Sequence, residues 1–245
     1  MVKGLDDRQK QEISIPRHIG IIMDGNGRWA KKKGLPRSAG HKVGANKFRE
    51  ITKHCSKIGV EYLTVYAFST ENWKRPKDEV WFIMKLFKQY MNEALSDFSY
   101  ENIRVNFLGD KNGFTEDLRN LIDKVEESTK NKTGMTLNIA MNYGGRDEIL
   151  KAVKEIAMEA QKGAILPNDI KISDISDRLY TKNQPDPDLI IRPSGEYRIS
   201  NFLLWQSAYS EYVFMDDILW PDFNVKDLER AIEEYSNRNR RFGGV

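Results

Sequence analysis

Asp24 stands at the end of the apolar run Ile19-Gly20-Ile21-Ile22 and is followed by Gly25-Asn26-Gly27 and then Arg28-Trp29. A carboxylate, two glycines and a guanidinium meeting where a strand ends are the parts of a phosphate site. The glycines allow a tight turn and offer bare N–H groups to an anion, and Arg28 adds a two-pronged donor. Asp24 is suited to hold a divalent cation or to accept a proton. Taken alone, the segment reads equally well as a glycine-rich turn with a capping Asp. No Gly-Lys-Ser/Thr follows it and the third glycine of a dinucleotide fingerprint is missing, so neither a nucleotide triphosphate nor a dinucleotide is indicated.

Two more stretches carry residues of the same kind. Phe68-Ser69-Thr70-Glu71-Asn72-Trp73-Lys74-Arg75-Pro76 offers hydroxyls, an amide, an indole and a guanidinium. Arg192-Pro193-Ser194-Gly195-Glu196-Tyr197-Arg198-Ile199-Ser200 carries two arginines and two serines among its polar groups. Each alone has an ordinary reading as turn residues or as a surface ion pair of Arg192 or Arg198 with Glu196. Each follows an apolar, β-branched run, however, and Glu211 precedes another. If those runs are parallel strands, their carboxyl ends share one edge, and all these groups are expected to converge there with Asp24.

The elements that would position them alternate between short strands and amphipathic helices. Strands are expected at Ile19 to Met23, Tyr62 to Phe68, Arg104 to Leu108, Met135 to Met141, Leu189 to Arg192 and Tyr212 to Met215. Helices are expected at Gly40 to Ile58, Glu79 to Phe98, Thr115 to Thr129, Arg146 to Gln161, Ile172 to Tyr180 and Val225 to Arg240, the last capped by Asn224. The implied fold is α/β, with a mainly parallel central sheet of about six strands surrounded by helices. We read residues 1–17 as a polar N-terminal extension and 18–245 as one domain.

Composition narrows the function. The chain has 245 residues, 40% of them hydrophobic, and a net charge of +3 with basic residues scattered among 36 acidic ones, which argues against a nucleic-acid protein. The single cysteine, Cys55, excludes a disulfide framework and cysteine-rich zinc sites. The polar N-terminus lacks an apolar segment of signal-peptide type and no stretch approaches a membrane span, so a cytoplasmic protein is expected.

Read together, His18 to Ala30, Gly40-His41, Phe68 to Pro76 and Arg198-Ile199-Ser200-Asn201-Phe202-Leu203-Leu204-Trp205-Gln206 resemble, in order, the motifs of the cis-prenyltransferase family over nearly the whole chain. The resemblance implies extension of an allylic diphosphate, farnesyl diphosphate, by isopentenyl diphosphate units. The implied product is undecaprenyl diphosphate, a lipid-carrier precursor for cell-wall synthesis. It implies Mg²⁺ held by Asp24 and Glu211. Asn26, Gly27, Arg28, Arg37 and His41 would form the allylic pocket, Gly25 and Trp29 would also bind substrate, and Arg192, Arg198 and Ser200 would form the second diphosphate pocket. Ser69, Thr70, Glu71, Asn72, Trp73 and Arg75 would form the loop that positions isopentenyl diphosphate. The proton acceptor stays open among Asp24, an Asn72-Ser69 relay and a diphosphate oxygen. The Arg240-Arg241-Phe242-Gly243 tail matches one that reaches a partner's site in this family, implying a homodimer with Arg241 in that role.

Three expectations follow from the resemblance. A growing hydrocarbon needs an apolar tunnel, lined by the Tyr62 and Met135 strands and by Trp81, Phe82, Met84, Leu86 and Phe87; release of its product leaves peripheral membrane contact open. Pro193 replaces the family's usual Thr and removes a hydroxyl and an N–H donor. Asp24→Ala should abolish activity with folding intact. A non-catalytic subunit of a heteromeric prenyltransferase and a phosphohydrolase are the alternatives.

Overall fold

Six runs rich in β-branched and aromatic residues become strands, and their near-continuous apolar character fits strands covered on both faces. They are β1 (His18–Ile22), β2 (Tyr62–Ser69), β3 (Arg104–Leu108), β4 (Thr136–Tyr143), β5 (Leu189–Pro193) and β6 (Glu211–Met215). The structure is a computed structural model that describes residues 13–100 and 102–238. The strands form one sheet in the order β3-β4-β2-β1-β5-β6, and every neighbouring pair is parallel. All five residues of β1 and of β5 are buried.

Seven α-helices accompany the sheet among the described residues: α1 (Asn26–Lys32), α2 (Arg37–Lys57), α3 (Lys77–Tyr100), α4 (Glu116–Thr129), α5 (Gly145–Gln161), α6 (Ile172–Ser176) and α7 (Val225–Ser236). The sequence reading missed α1, because Asn26 to Lys32 carries only Trp29 and Ala30 as apolar residues and shows no helical period. Against the expected bounds, α6 ends at Ser176 and α7 at Ser236, and Arg240 lies outside the described residues.

Alternate strand residues feed two cores, as the period of two requires. Ile19, Ile21, Leu63 and Val65 join Phe48 and Ile51 of α2, Phe87 and Met91 of α3 and Leu228 and Ile232 of α7 in the larger one. Ile22, Tyr66, Ile190, Phe202 and Leu203 form the smaller. A buried polar row crosses the sheet near its amino edge. His18 Nε2 lies 2.8 Å from Thr64 Oγ1, Asn138 Nδ2 donates to the same oxygen at 3.0 Å, and His18 Nδ1 lies 2.8 Å from Pro185 O. Thr64 therefore donates to Nε2, and the imidazole is neutral with its proton on Nδ1. Burial lowers the His18 pKa to about 4, against the raising effect of the Pro185 carbonyl.

β1 has β2 on one side and β5 on the other, so strand order reverses beside it. The carboxyl edge at such a switch point is where open α/β sheets hold ligands. Asp24, just past the end of β1, and Arg192, on the neighbouring β5, lie at that edge.

Candidate active site

Gly25 turns the chain out of β1 with φ 107°, a left-handed backbone that favours glycine, and α1 starts at once. A Cβ there would meet Leu219 at 2.9 Å. The turn leaves Asp24 facing β5. Its Oδ2 accepts from Arg192 Nη2 at 2.8 Å, Ser194 Oγ at 2.9 Å and Arg28 Nη2 at 3.1 Å. Burial pushes the Asp24 carboxyl up, but the hydrogen bonds from Arg192 and Ser194 and the charges of Arg192 and Arg28 outweigh it and hold the group below the ordinary carboxylate value. It is an anion at neutral pH.

Arg192 is nearly inaccessible to solvent. Its Nη1 donates to Ser200 Oγ at 2.9 Å and to the Arg198 carbonyl, which fixes the β5 loop around it. Arg28 Nη1 bonds the Ser194 carbonyl at 2.9 Å and Glu196 Oε1 at 3.2 Å, and Arg198 also pairs with Glu196. The hydroxyl on Asp24 comes from Ser194, and Pro193, the last residue of β5, takes no part in it.

The β2 loop closes another side. Ser69 N–H donates to Asn72 Oδ1 at 3.2 Å, so the short 3-10 turn Thr70–Lys74 begins on a side-chain cap. Trp73 Nε1 donates to Asn142 Oδ1 at 2.7 Å and its ring meets Phe68 edge-on, with centroids 5.0 Å apart. Beyond the loop, Glu79 of α3 gathers three of the expected pocket groups. Arg37 Nε reaches it at 2.9 Å, Arg75 Nη1 at 3.0 Å and His41 Nε2 at 3.4 Å. Burial raises the Glu79 pKa, and Arg75, Arg37 and His41 lower it further than burial raises it. Burial in turn lowers His41, against Glu79.

Most of the expected site residues among these surround one cavity of about 700 Å³. Asp24, Gly25, Asn26, Gly27, Arg28, Arg37, His41, Ser69, Glu71, Asn72, Arg75, Arg192, Arg198 and Ser200 line its polar part. Its apolar part is made by Val65, Phe68, Ile139 and Met141 of the sheet and by Ile83, Leu86, Phe87, Tyr90 and Met91 on one face of α3. The expected tunnel wall is thus corrected on α3. Leu86 and Phe87 line the cavity, whereas Trp81 is 63% exposed and Phe82 borders a separate surface groove with Pro36 and Pro76. A face spaced i, i+3, i+4 selects Ile83 over its neighbours.

Several expected site residues fall elsewhere. Glu211 opens β6 opposite Leu189, so it lies at the amino edge of the sheet, about 13 Å of strand rise away from the edge that carries Asp24. Its carboxylate pairs with Arg238 at 2.7 Å. Preceding a strand puts a residue at the edge opposite to the one its carboxyl end serves, so within this chain Glu211 does not join Asp24. Thr70, Trp73 and Trp29 do not line the cavity; Thr70 bonds Asp147 Oδ2 at 2.9 Å and Trp29 bonds Asp222 Oδ1 at 2.7 Å. Arg241 lies outside the described residues. Glu79, Glu196, Ser194 and Asn201 were not singled out as site residues. Ser194 and Glu196 belong to the polar stretch that follows the Leu189 run, but Glu79 reads in the sequence as an ordinary first-turn acid of a helix.

Among the described residues no group of three or more His, Cys, Asp and Glu is arranged to hold a metal ion. All three donors to Asp24 take Oδ2, which leaves Oδ1 available at the cavity wall. Mg²⁺ commonly uses one or two carboxylates and completes its shell with substrate phosphates and water, so this residue set fits it when a diphosphate is bound.

A crevice rimmed by guanidinium groups and opening into an apolar chamber has the chemistry to suit a ligand with an anionic head and an apolar tail. The chain belongs to the prenyltransferase family whose model is described as "Putative undecaprenyl diphosphate synthase", which matches residues 22–243. It is 51% identical over 246 residues to an isoprenyl transferase of Clostridium perfringens, covering 99% of this chain and 97% of the relative. It is 47% identical over 243 residues to the ditrans,polycis-undecaprenyl-diphosphate synthase ((2E,6E)-farnesyl-diphosphate specific) of Micrococcus luteus, covering 99% and 97%. Among solved structures, lavandulyl diphosphate synthase from Lavandula x intermedia in complex with dimethylallyl diphosphate matches with a TM-score of 0.90 and 35% identity, covering 94% of this chain and 98% of that one. The cis-prenyltransferase resemblance and the α/β fold are borne out.

Proposed function

We propose that this chain condenses isopentenyl diphosphate onto farnesyl diphosphate, building a long cis-polyprenyl diphosphate, undecaprenyl diphosphate. The observation that carries this reading is the continuity of one cavity from the Arg28, Arg192 and Arg198 rim to the α3 apolar wall. In each cycle the C–O bond of the allylic diphosphate breaks, its carbon bonds the terminal alkene carbon of isopentenyl diphosphate, and a C2 proton is lost. Charge builds on the leaving diphosphate, so donors aimed at its oxygens favour the transition state. Gly27 N–H, Asn26, Arg28, Arg37 and His41 would serve the allylic diphosphate, and Arg192, Arg198 and Ser200 the incoming one. Charge-assisted hydrogen bonds of this kind contribute about 1.5–3 kcal/mol each.

Bound Mg²⁺, held through Asp24, would neutralise diphosphate oxygens. Arg192 and Ser194 keep Asp24 ionised for that task. Asn72 and Ser69 stand at the cavity wall, where they can orient the alkene and relay the C2 proton to an anionic acceptor, a diphosphate oxygen or the Asp24 carboxylate. The reading includes a homodimer, cytoplasmic residence and peripheral membrane contact on product release. No helix among the described residues is long and apolar enough to cross a membrane, which fits.

The test is incubation with radiolabelled isopentenyl diphosphate, farnesyl diphosphate and Mg²⁺, followed by chromatography of the lipid products. Label moving into long-chain lipid is expected. Free phosphate without chain growth would favour a phosphohydrolase, and no reaction at all would favour a non-catalytic subunit.

A further inference from the structure

Three segments crowd over Gly144, at the start of α5. A Cβ there would lie 2.4 Å from Asp147 Oδ2, 2.7 Å from Asn201 Nδ2 and 2.8 Å from Thr70 Oγ1. The backbone at Gly144 is extended, with φ −154°, which any residue adopts, so the glycine supplies room. Two of the crowding atoms belong to the loops after β2 and β5, and Thr70 Oγ1 bonds the third at 2.9 Å.

Asn201 spends its side chain and its carbonyl on this junction. Its carbonyl accepts Gly145 N–H at 2.7 Å and its Oδ1 accepts Arg146 N–H at 2.8 Å, which satisfies two amides left without partners at the start of α5. Its Nδ2 crosses to the β2 loop and donates to Glu71 Oε1 at 2.9 Å. To reach all three, the chain runs left-handed at Ser200 (φ 48°), Asn201 (66°) and Leu203 (45°), a costly conformation for most L-residues and tolerable for Asn. Burial holds it there. Leu203 and Phe202 are fully buried, Phe202 stacks on Tyr66 at 4.7 Å, and the Tyr66 hydroxyl donates to the Ser200 carbonyl at 3.3 Å.

We infer that Asn201 is a positioning residue for the second diphosphate pocket. It latches the Ser69 to Arg75 loop, through Glu71, to the Arg198-Ser200 loop at the head of α5, so that the two loops hold isopentenyl diphosphate as one unit. The inference rests on the proposed assignment of that pocket. Neither Asn201 nor Glu71 needs to touch the reacting atoms for the latch to act.

The test separates the latch from folding and from the reading it rests on. Asn201→Asp keeps the size, the tolerance of a left-handed backbone and the two acceptor contacts, but turns a carboxylate onto Glu71. It should raise the KM for isopentenyl diphosphate about tenfold or more while the KM for farnesyl diphosphate stays within about twofold. Adding Glu71→Gln restores a donor to the pair and should lower the KM at least about threefold from that of the single variant. Amide hydrogen exchange reads the same latch without turnover: exchange across residues 69–75 should accelerate in the single variant and recover in the double. An unchanged KM, an equal rise for both substrates or an unrescued double variant would overturn the latch. If the wild type builds no product, the pocket assignment fails, and the exchange experiment then decides the latch alone.

Discussion

One Asp24 oxygen carries three donors, one of them a guanidinium almost closed off from water, and this alters what removing the carboxylate should do. The sequence suggests a loop acid whose loss leaves folding intact. With Arg192 behind it, Asp24→Ala strands a buried charge and should cost about 1–3 kcal/mol of stability as well as activity. That corresponds to a fall in melting temperature of roughly 3–10 °C, measurable by calorimetry. Asp24→Asn keeps an acceptor and should lose less. A melting temperature unmoved by Asp24→Ala would mean that Ser200 and the Arg198 carbonyl suffice to hold Arg192. Asp24 and Arg192 were legible as site residues because acid and guanidinium ended adjacent apolar runs. Glu79 was not, since beyond its near neighbour Arg75 its partners Arg37 and His41 lie on α2, and only the approach of α2 to α3 brings them to it.

At the level of elements, Gly40 and Gly44 make a bare stripe along α2 on which the start of α1 rests. A Cβ at Gly40 would lie 2.0 Å from the Asn26 carbonyl oxygen, and one at Gly44 would lie 2.1 Å from Asn26 Oδ1 and 2.8 Å from the Trp220 ring. Trp220 in turn donates Nε1 to the Gly44 carbonyl at 2.8 Å. In an isolated helix Gly→Ala stabilises by about 1 kcal/mol. Here Gly40→Ala should instead destabilise, because backbone must move to admit the methyl, and overpacking of this kind typically costs about 1–3 kcal/mol. Denaturant midpoints decide the sign, and a variant more stable than the wild type would show that α1 shifts freely. The strands were readable to within a residue or two because burial on both faces demands apolar runs. α1 was not, since this close rest on two glycines of α2 leaves no apolar period in its own sequence.

Across the whole molecule, the His18–Thr64–Asn138 row ties three strands through a neutral imidazole. Protonation is easier in the unfolded chain, at its ordinary pKa near 6.5, than in the fold, where burial depresses it to about 4. The unfolded state therefore takes up the proton first as pH falls, and stability that is complete above about pH 6.5 drains away towards pH 4, by roughly 3 kcal/mol. His18→Gln should flatten this part of the stability curve relative to wild type, as read from urea midpoints at pH 7 and pH 4.5; parallel curves would refute it. The parallel topology was readable from alternating strand and helix patterns, but which edge a residue occupies also depends on chain direction, and Glu211 shows how one strand length separates the two edges. That topology has a consequence in time. Asp24 and Arg192 sit side by side yet are 168 residues apart in the chain. At ribosomal speeds the carboxylate emerges roughly 10–30 seconds before the guanidinium that completes its surroundings. A nascent chain thus carries β1 with one flank unpaired, and the rim where Asp24 meets Arg192 is completed late in the making of this protein.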